Sequence, residues 1–541
     1  MAAVYRGQEL SLQELFNAFS YKMEEISTDP DKFAKIQVDE IVRMEQEMAA
    51  ASFRLKSLIN SFSPISRLPP EVFATVLTHR WPGRDLISAT HVCRHWRTTL
   101  LSFASLWAEI HCTGEEQTFF FLERAKAAPL HIYLRSRFSH TALRVFIAPN
   151  IDRIELLIAN PMVTMDTTAL CRDLSSPAPN LKTLVIAPRS ASWQYLPTIF
   201  KGDLPGLRRF TVERATFDLT QFRTPNLTHL SLQYTAHGEP VMADLLEFLE
   251  QTPLLENLMI VAAGPLSDDA GSHDDLDRVV HLPHLNQLEF VGRSARSGII
   301  SHLSLPAGVD VTLRADVMSS QDGITEQFLP SSLEHIPMAR NVTAINFSIT
   351  TSDICSLRYI GPNGTIYITA SNAEAIEDVE DGSFSYEAIR SFQPISTAEV
   401  EKILFDGFQG HVSQHEVSDA PHFIAFRTME NLRSITLVDC SSQLFIAVLQ
   451  ITEPETICPS LQKLTIYLSP EDPFSVTKLE GLLATRKEHG VPLNTLILIA
   501  EDEHERIPDN VLGKFKRYVG EVEFRIDPQA PWWDDPLSWD I

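Results

Sequence analysis

Disulfide chemistry and excess positive charge are both missing from this 541-residue chain, and each gap narrows what it can be. Six cysteines (Cys93, Cys112, Cys171, Cys355, Cys440, Cys458) are scattered without a Cys-x-x-Cys pair, as reduced core thiols are. Lysine and arginine number 45 against 70 aspartates and glutamates, a formal net charge of −25. Nucleic acid and anionic membrane both demand basic surface, so neither is expected as a general partner. No stretch approaches the ~18 uninterrupted apolar residues of a membrane span. The opening MAAVYRGQELSLQELF lacks the basic and apolar segments of a secretory signal. The expectation is a soluble chain in a reducing compartment, cytoplasmic and/or nuclear. There the Asn-x-Ser/Thr matches at Asn226, Asn341, Asn346 and Asn363 stay unglycosylated.

Catalytic signatures are absent too. The chain contains no Gly-x-Ser-x-Gly, no phosphate loop of the GxxxxGK[ST] type, no His-Glu-x-x-His and no GxGxxG opening a helix after a strand. His91, Cys93 and His95 have ligand chemistry, but Cys93 and Trp96 read better as core. His411, His415 and His422 lack an acidic partner at metal-site spacing. The run Glu501 to Glu505 lacks the glycine turn of a calcium loop. No catalytic, cofactor-binding or metal-binding residue is therefore expected, and no cofactor.

What is present begins with length. A chain of 541 residues is too long for one compact core, so several units or a repeat array are expected. Residues 65–110 form the most informative stretch. Pro69-Pro70 suit the first turn of a helix and nothing deeper. Behind them Val72, Phe73, Val76 and Leu77 recur at helical spacing, an apolar stripe too wide for so short a helix to hide alone. After Trp81-Pro82-Gly83, Asp85 stands at an N-cap position, and Leu86, Ala89, Val92 and Cys93 mark the buried face of a second helix. A third carries Trp96 and Leu100, and Leu106-Trp107 closes the segment.

This run resembles the F-box, in the form found in fungal, basidiomycete-type F-box-like proteins. The carriers are Leu68-Pro69-Pro70-Glu71-Val72, Asp85-Leu86, Val92-Cys93-Arg94-His95-Trp96-Arg97 and Leu106-Trp107, in the family's order. The pattern departs from its relatives at residues 78–84, where bulky and charged groups replace a shorter link. The resemblance implies binding to a Skp-type adaptor and, through it, a cullin. Leu68, Pro69, Val72, Val76, Leu77, Leu86, Val92 and Trp96 are the expected adaptor-binding positions. Three short helices bury little by themselves, so an adaptor or the protein's own following residues must cover them.

Upstream, in residues 1–62, Ile41, Met44, Met48, Ala51, Leu55, Leu58 and Phe62 alternate steps of three and four, a heptad seam. About three heptads are marginal for a self-standing coiled coil. The helix is expected to pack back on its own protein, with weak self-association through residues 41–62 as the alternative. A second, weaker amphipathic piece covers residues 10–26.

Beyond the F-box-like residues 63–112, the texture changes to short apolar strands. A phrase Pro-x-Leu-x-x-Leu-x-apolar recurs at 179–186, 205–212, 225–232, 253–260, 283–290, 432–437, 459–466 and 493–498, some copies without the proline. Where copies run consecutively they lie roughly twenty to thirty residues apart, the period of leucine-rich repeats. Residues 113–527 are therefore read as an irregular leucine-rich-repeat-like solenoid, an α/β repeat of short parallel strands and helices. Its leucines point inward, while Lys182, Thr183, Thr228, His229 and Ser231 are candidates for a binding face. Residues 293–428 read as diverged repeats with longer connections and a hairpin signal at Pro362-Asn363-Gly364-Thr365. The acidic stretch 374–381 reads as a solvated loop, and the Trp-rich residues 528–541 as a cap or docking tail. The expected function is that of a non-catalytic substrate receptor in a Skp-cullin-F-box type E3 ubiquitin ligase, with an unknown protein client on the repeats. A ligase-independent F-box scaffold is the alternative.

Overall fold

Helix α1 (Val38–Ser61) runs unbroken for twenty-four residues, and no proline interrupts it before Pro64. The computed structural model describes residues 17, 20, 21, 24, 38–80, 84–134, 141, 143–160, 167–188, 194–233, 242–262, 278–294, 298–317, 325, 328–330, 332–350, 354–371, 392, 395–407, 426–450, 456–468, 475–501 and 506–527. The 81–83 link, the 374–381 stretch, His411, His415, His422, the 528–541 tail and most of residues 10–26 lie outside these. The chain divides into two compact units, Met1–Ile132 and Tyr133–Ile541.

The first unit continues from α1 through α2 (Pro70–Arg80), α3 (Arg84–Ala89) and α4 (Arg94–Ser102) to a 3-10 turn, Ala104–Trp107. Strand β1 (Glu109–Cys112), helix α5 (Glu115–Ala125) and strand β2 (Leu130–Leu134) follow. The seam of α1 was expected to pack back on the protein, and over its second half it does not. Leu55, Leu58, Ile59 and Phe62 are all exposed. Heptad spacing alone does not say whether a partner face arrives.

The second unit is built on a large, mostly parallel sheet. Its strands are β3 (Ile154–Ala159), β4 (Thr183–Ile186), β5 (Arg209–Glu213), β6 (His229–Gln233), β7 (Asn257–Ala262), β8 (Gln287–Ser294) and β9 (Val309–Val317). They continue as β10 (Ala344–Thr350), β11 (Ile354–Gly361), β12 (Gly364–Ser371), β13 (Lys402–Asp406), β14 (Ser434–Val438), β15 (Lys463–Tyr467), β16 (Thr495–Ala500) and β17 (Glu521–Ile526). From β3 to β9 each strand pairs in parallel with the next in sequence, and so it does again from β13 to β17. Between these runs the parallel reading needs a correction. β12 lies beside β9 and β10 beside β13, both in parallel, while β11 runs antiparallel between β10 and β12. The turn at Asn363 makes this meander, because Gly364 sits at φ +125° and a Cβ there would come 2.5 Å from the Val309 carbonyl oxygen.

All eight copies of the phrase contain strands of this sheet. The register superposes their apolar positions: Leu184 lies beside Phe210, then Leu230, Leu258 and Leu288. All these side chains are buried. The proline has a structural task. In Thr224-Pro225-Asn226-Leu227 the Leu227 N–H donates to the Thr224 carbonyl (3.1 Å), and the same turn recurs at Leu181, Leu207, Leu255, Leu285 and Leu461. Proline's fixed φ suits the second position of such a turn. Asparagine at the third position ties one turn to the one before it: Asn180 donates to the Asp152 carbonyl, Asn226 to Pro205 and Asn431 to Ala398, at 2.6–2.8 Å. Three further copies escape the leucine phrase because they use Ile, Val, Phe or Ala: residues 154–159, 342–347 and 400–405, each with its three apolar positions buried. Helices α6 (Thr167–Asp173), α7 (Met242–Glu250), α8 (Ser442–Leu449), α9 (Val476–Glu488) and α10 (Asp509–Phe515) lie between strands.

Adjacent residues of one strand test this arrangement. Leu230→Ala is expected to cost about 2–5 kcal/mol of stability, and Ser231→Ala no more than ~0.5 kcal/mol, measured by urea denaturation of the full chain. Equal effects would contradict the inward and outward assignment.

Candidate docking site

Helix α2 starts where its prolines require. Pro70 takes the first helical position, where no N–H is needed, and the Pro69 carbonyl accepts the Phe73 N–H at 2.9 Å. Glu71 in the first turn complements the positive end of the helix. The wide apolar stripe of α2 then divides into two faces. Phe73, Ala74 and Leu77 turn inward and are buried. Pro69, Val72 and Val76, spaced by three and four, turn outward, and the two valines remain 46% and 44% exposed.

The inward face is closed by α3 and α4. The Phe73 ring meets Trp96 edge-on, with centroids 4.8 Å apart, and Leu86, Ala89 and Leu100 are buried with them. Helix α3 stops at Ala89, and the hydroxyl of Thr90 donates to the Ile87 carbonyl at 2.6 Å, a local bond that competes with helix continuation. Cys93 therefore does not belong to the buried face of α3. It caps α4, its Sγ accepting the Trp96 N–H at 3.5 Å. Val92, in the turn between the helices, is likewise not buried but 58% exposed. The far end of the module, at Trp107, is covered by helix α5, which follows it. Trp107 is fully buried, its indole N–H donates to the Leu100 carbonyl at 2.9 Å, and its ring meets Phe121 edge-on at 5.2 Å. The Arg124 guanidinium stacks 3.3 Å over Phe120. The aromatic run Phe119-Phe120-Phe121 was the available signal for this cover.

Of the eight expected adaptor-binding positions, the structure brings Pro69, Val72 and Val76 together on one open helix face, with half-buried Leu68 just before them. Val92 is open in the α3–α4 turn. Leu77, Leu86 and Trp96 are closed inside the module, so they present no surface here. They hold the three helices together.

The second unit offers a different surface. On the face of the sheet opposite its leucines, the register aligns Thr183, Arg209, His229, Asn257, Gln287 and Asp310 across six neighbouring strands, a polar row about 24 Å long at ~4.8 Å per strand. Thr183, His229 and Ser231 are half-buried on this face. Lys182 and Thr228 act instead between neighbouring turns, Lys182 pairing with Glu155 at 2.7 Å and the Thr228 hydroxyl donating to the Arg208 carbonyl at 3.0 Å. Burial and the adjacent Arg209 hold the His229 imidazole below its ordinary value, with Glu256 opposing them. Among the described residues, no group of three or more His, Cys, Asp or Glu is placed to hold a metal ion. Burial pushes the Cys112 and Cys458 thiols up to about 12, far from reactive. No helix of the described residues is long and apolar enough to cross a membrane.

Asp406, at the end of β13 on the open face, is the one carboxylate among the described residues with a large shift. Burial and the nearby Asp439 push it up to about 7, against a weaker hydrogen bond from the Gly407 N–H. A folded-state value above that of the unfolded chain means the native state holds the proton more tightly. Stability should therefore fall as pH rises from about 4 to about 7, with the full penalty above that range. Asp406→Asn should raise the melting temperature of the full chain at pH 8 and leave it unchanged at pH 4; equal shifts at both would show that the side chain is not protonated in the fold.

Comparison with known proteins fits this geometry on the module alone. No curated protein matches the chain. Residues 65–113, which contain α2 to α4, Trp107 and β1, match the F-box-like family.

Proposed function

We propose that the chain is a substrate-receptor subunit of a Skp-cullin-F-box type E3 ubiquitin ligase. The observation that carries this reading is the outward face of Pro69, Val72 and Val76. In a module that buries Phe73, Leu77, Leu86, Trp96 and Leu100, these stay open beside Leu68 and fit a Skp-type adaptor. Burying a large apolar side chain contributes about 1.5–3 kcal/mol, so Val72 and Val76 would act as central anchors and the surrounding arginines as rim. The second unit reads as a leucine-rich-repeat-like solenoid. Its eleven recurrences of one apolar register support that reading, and its polar row from Thr183 to Asp310 is the proposed client face. The chain's net charge of −25 suits a neutral or basic client. The chain supplies no catalytic group. It raises the effective concentration of a client lysine near the transfer machinery that the adaptor and cullin bring.

Two variants of one helix test the docking face. With the full chain immobilised, Val72→Asp combined with Val76→Asp should abolish retention of a Skp-type adaptor while the melting temperature stays within a degree or two of wild type. Leu77→Asp should lose both, because it places a charge in the closed face. Adaptor retention by the Val72/Val76 variant would sink the assignment. Client turnover separates a ligase from a scaffold: deletion of the chain lengthens the client's half-life only in the first case.

A further inference from the structure

Helix α1 leaves an apolar stripe uncovered. Leu55, Leu58, Ile59 and Phe62 fall on one face at steps of three, one and three, and all are more than 40% exposed. Met44, Met48 and Ala51 extend the same stripe toward the helix start, and each is half-buried. The opposite face is exposed too, with Phe53 at 59%, but it borders the module. Phe53, Lys56, Ser57 and Asn60 look across a cleft of about 450 Å³ to the α3–α4 turn around His91 and Cys93. The stripe lies away from that cleft, and a helix of this length with a bare apolar face is stabilised chiefly by packing that face.

The distribution of charge along α1 says what covers it. Asp39, Glu40, Glu45 and Glu47 make the first half acidic, relieved only by Arg43, whereas Arg54 and Lys56 make the second half basic with no acidic residue. Such a helix is complementary to itself reversed. With two copies antiparallel and their ends aligned, Met44 of one meets Leu55 of the other and Met48 meets Ala51, which continues the seam without a break. The run Ala49-Ala50-Ala51-Ser52 then falls at the symmetry axis, where small side chains permit close approach. The positions flanking an antiparallel seam face their own kind, which sets Glu47 opposite Arg54 twice over. Parallel pairing would set Glu47 against Ser52 and Arg54 against Ile59, and would bring the two acidic halves together. Among the described residues Glu47 has only the exposed contact to Arg43 at 3.7 Å, worth little and readily exchanged. Arg54 pairs with no carboxylate among the described residues.

We infer that α1 is a homodimerisation helix, pairing antiparallel with α1 of a second copy of this chain through Leu55, Leu58 and Phe62, with Glu47 and Arg54 setting the orientation. The dimer carries two F-box-like modules, one at each end of the paired helices, because α2 follows α1 after eight residues or so of turn. This stands apart from the adaptor face, which lies on α2.

Sedimentation of the full chain over a concentration series is the test. The weight-average mass should climb from 60.8 kDa toward twice that value, and Leu55→Glu with Leu58→Glu should hold it at the monomer. Circular dichroism would confirm that the variant keeps its fold. Glu47→Arg alone, or Arg54→Glu alone, should weaken the dimer about tenfold, and the two together should restore it, as charge positions flanking a seam set partner orientation. A chain that stays monomeric up to its solubility limit overturns the inference, including the case in which added adaptor is what protects the stripe. A dimer that survives Leu55→Glu with Leu58→Glu overturns it as well. A dimer indifferent to both charge reversals is not the antiparallel one.

Discussion

Everything in the second unit depends on one stacking constraint. A strand such as His229–Gln233 can bury Leu230 and Leu232 only if the strands on either side place apolar groups at the same height. No single strand and return segment of this size could hide those side chains alone, so each unit borrows its core from its neighbours. Parallel in-register pairing meets the constraint with the least variation, and the turn ahead of each strand sets its start. The proline turn and the asparagine that donates to the preceding turn are the devices that keep the register from slipping. The meander at Ala344–Thr350 to Gly364–Ser371 obeys the same rule, since its outer two strands occupy parallel places and only the middle one is reversed. Arg486 shows the rule at a cost. It is fully buried in α9, and its guanidinium holds the carbonyls of Ile457 and Cys458 at 3.0 and 2.9 Å, just ahead of the turn at Pro459. Burial lowers its pKa, yet the two charge-assisted bonds hold the bend, the Cys458 carbonyl accepting from the Leu461 N–H as well.

The first unit works by an opposite logic. Its helices are too short to make a core that also hides every apolar side chain, so the module chooses. Phe73, Leu77, Leu86, Trp96 and Leu100 go inside, Trp107 seals the end against Phe121, and Val72 and Val76 are left out. The match of residues 65–113 to the F-box-like family gives that leftover face a meaning, and the proposed adaptor function follows from it. The bare stripe of α1 is a second leftover of the same kind, on an element that the family match does not reach.

Residue identities alone carried a large part of this. The repeated leucine phrase specified strands, their spacing and their buried side, because an apolar residue at the third and fifth positions after the first has one face to occupy in an extended chain. Pro69-Pro70 specified the start of α2, and Asn363-Gly364 the hairpin. Where the core residue was Ile, Val or Phe rather than Leu, as at Val342, Ile345 and Phe347, the phrase could not be recognised, although the same physics applied. The fate of Val92 and Cys93 was not legible either, because the end of α3 depends on a side-chain hydrogen bond from Thr90 that no periodicity reports.

The sequence by itself determined which segments are helix or strand and which residues want to be buried, since both follow from local backbone preference and the period of apolar side chains. Only the tertiary structure decided which of two competing apolar faces on α2 is covered and that the apolar stripe of α1 stays bare. Coverage depends on where neighbouring helices arrive, and that is set by contacts such as Phe73 with Trp96 and Trp107 with Phe121, between residues far apart in the chain. The same contacts left Val72 and Val76 facing water.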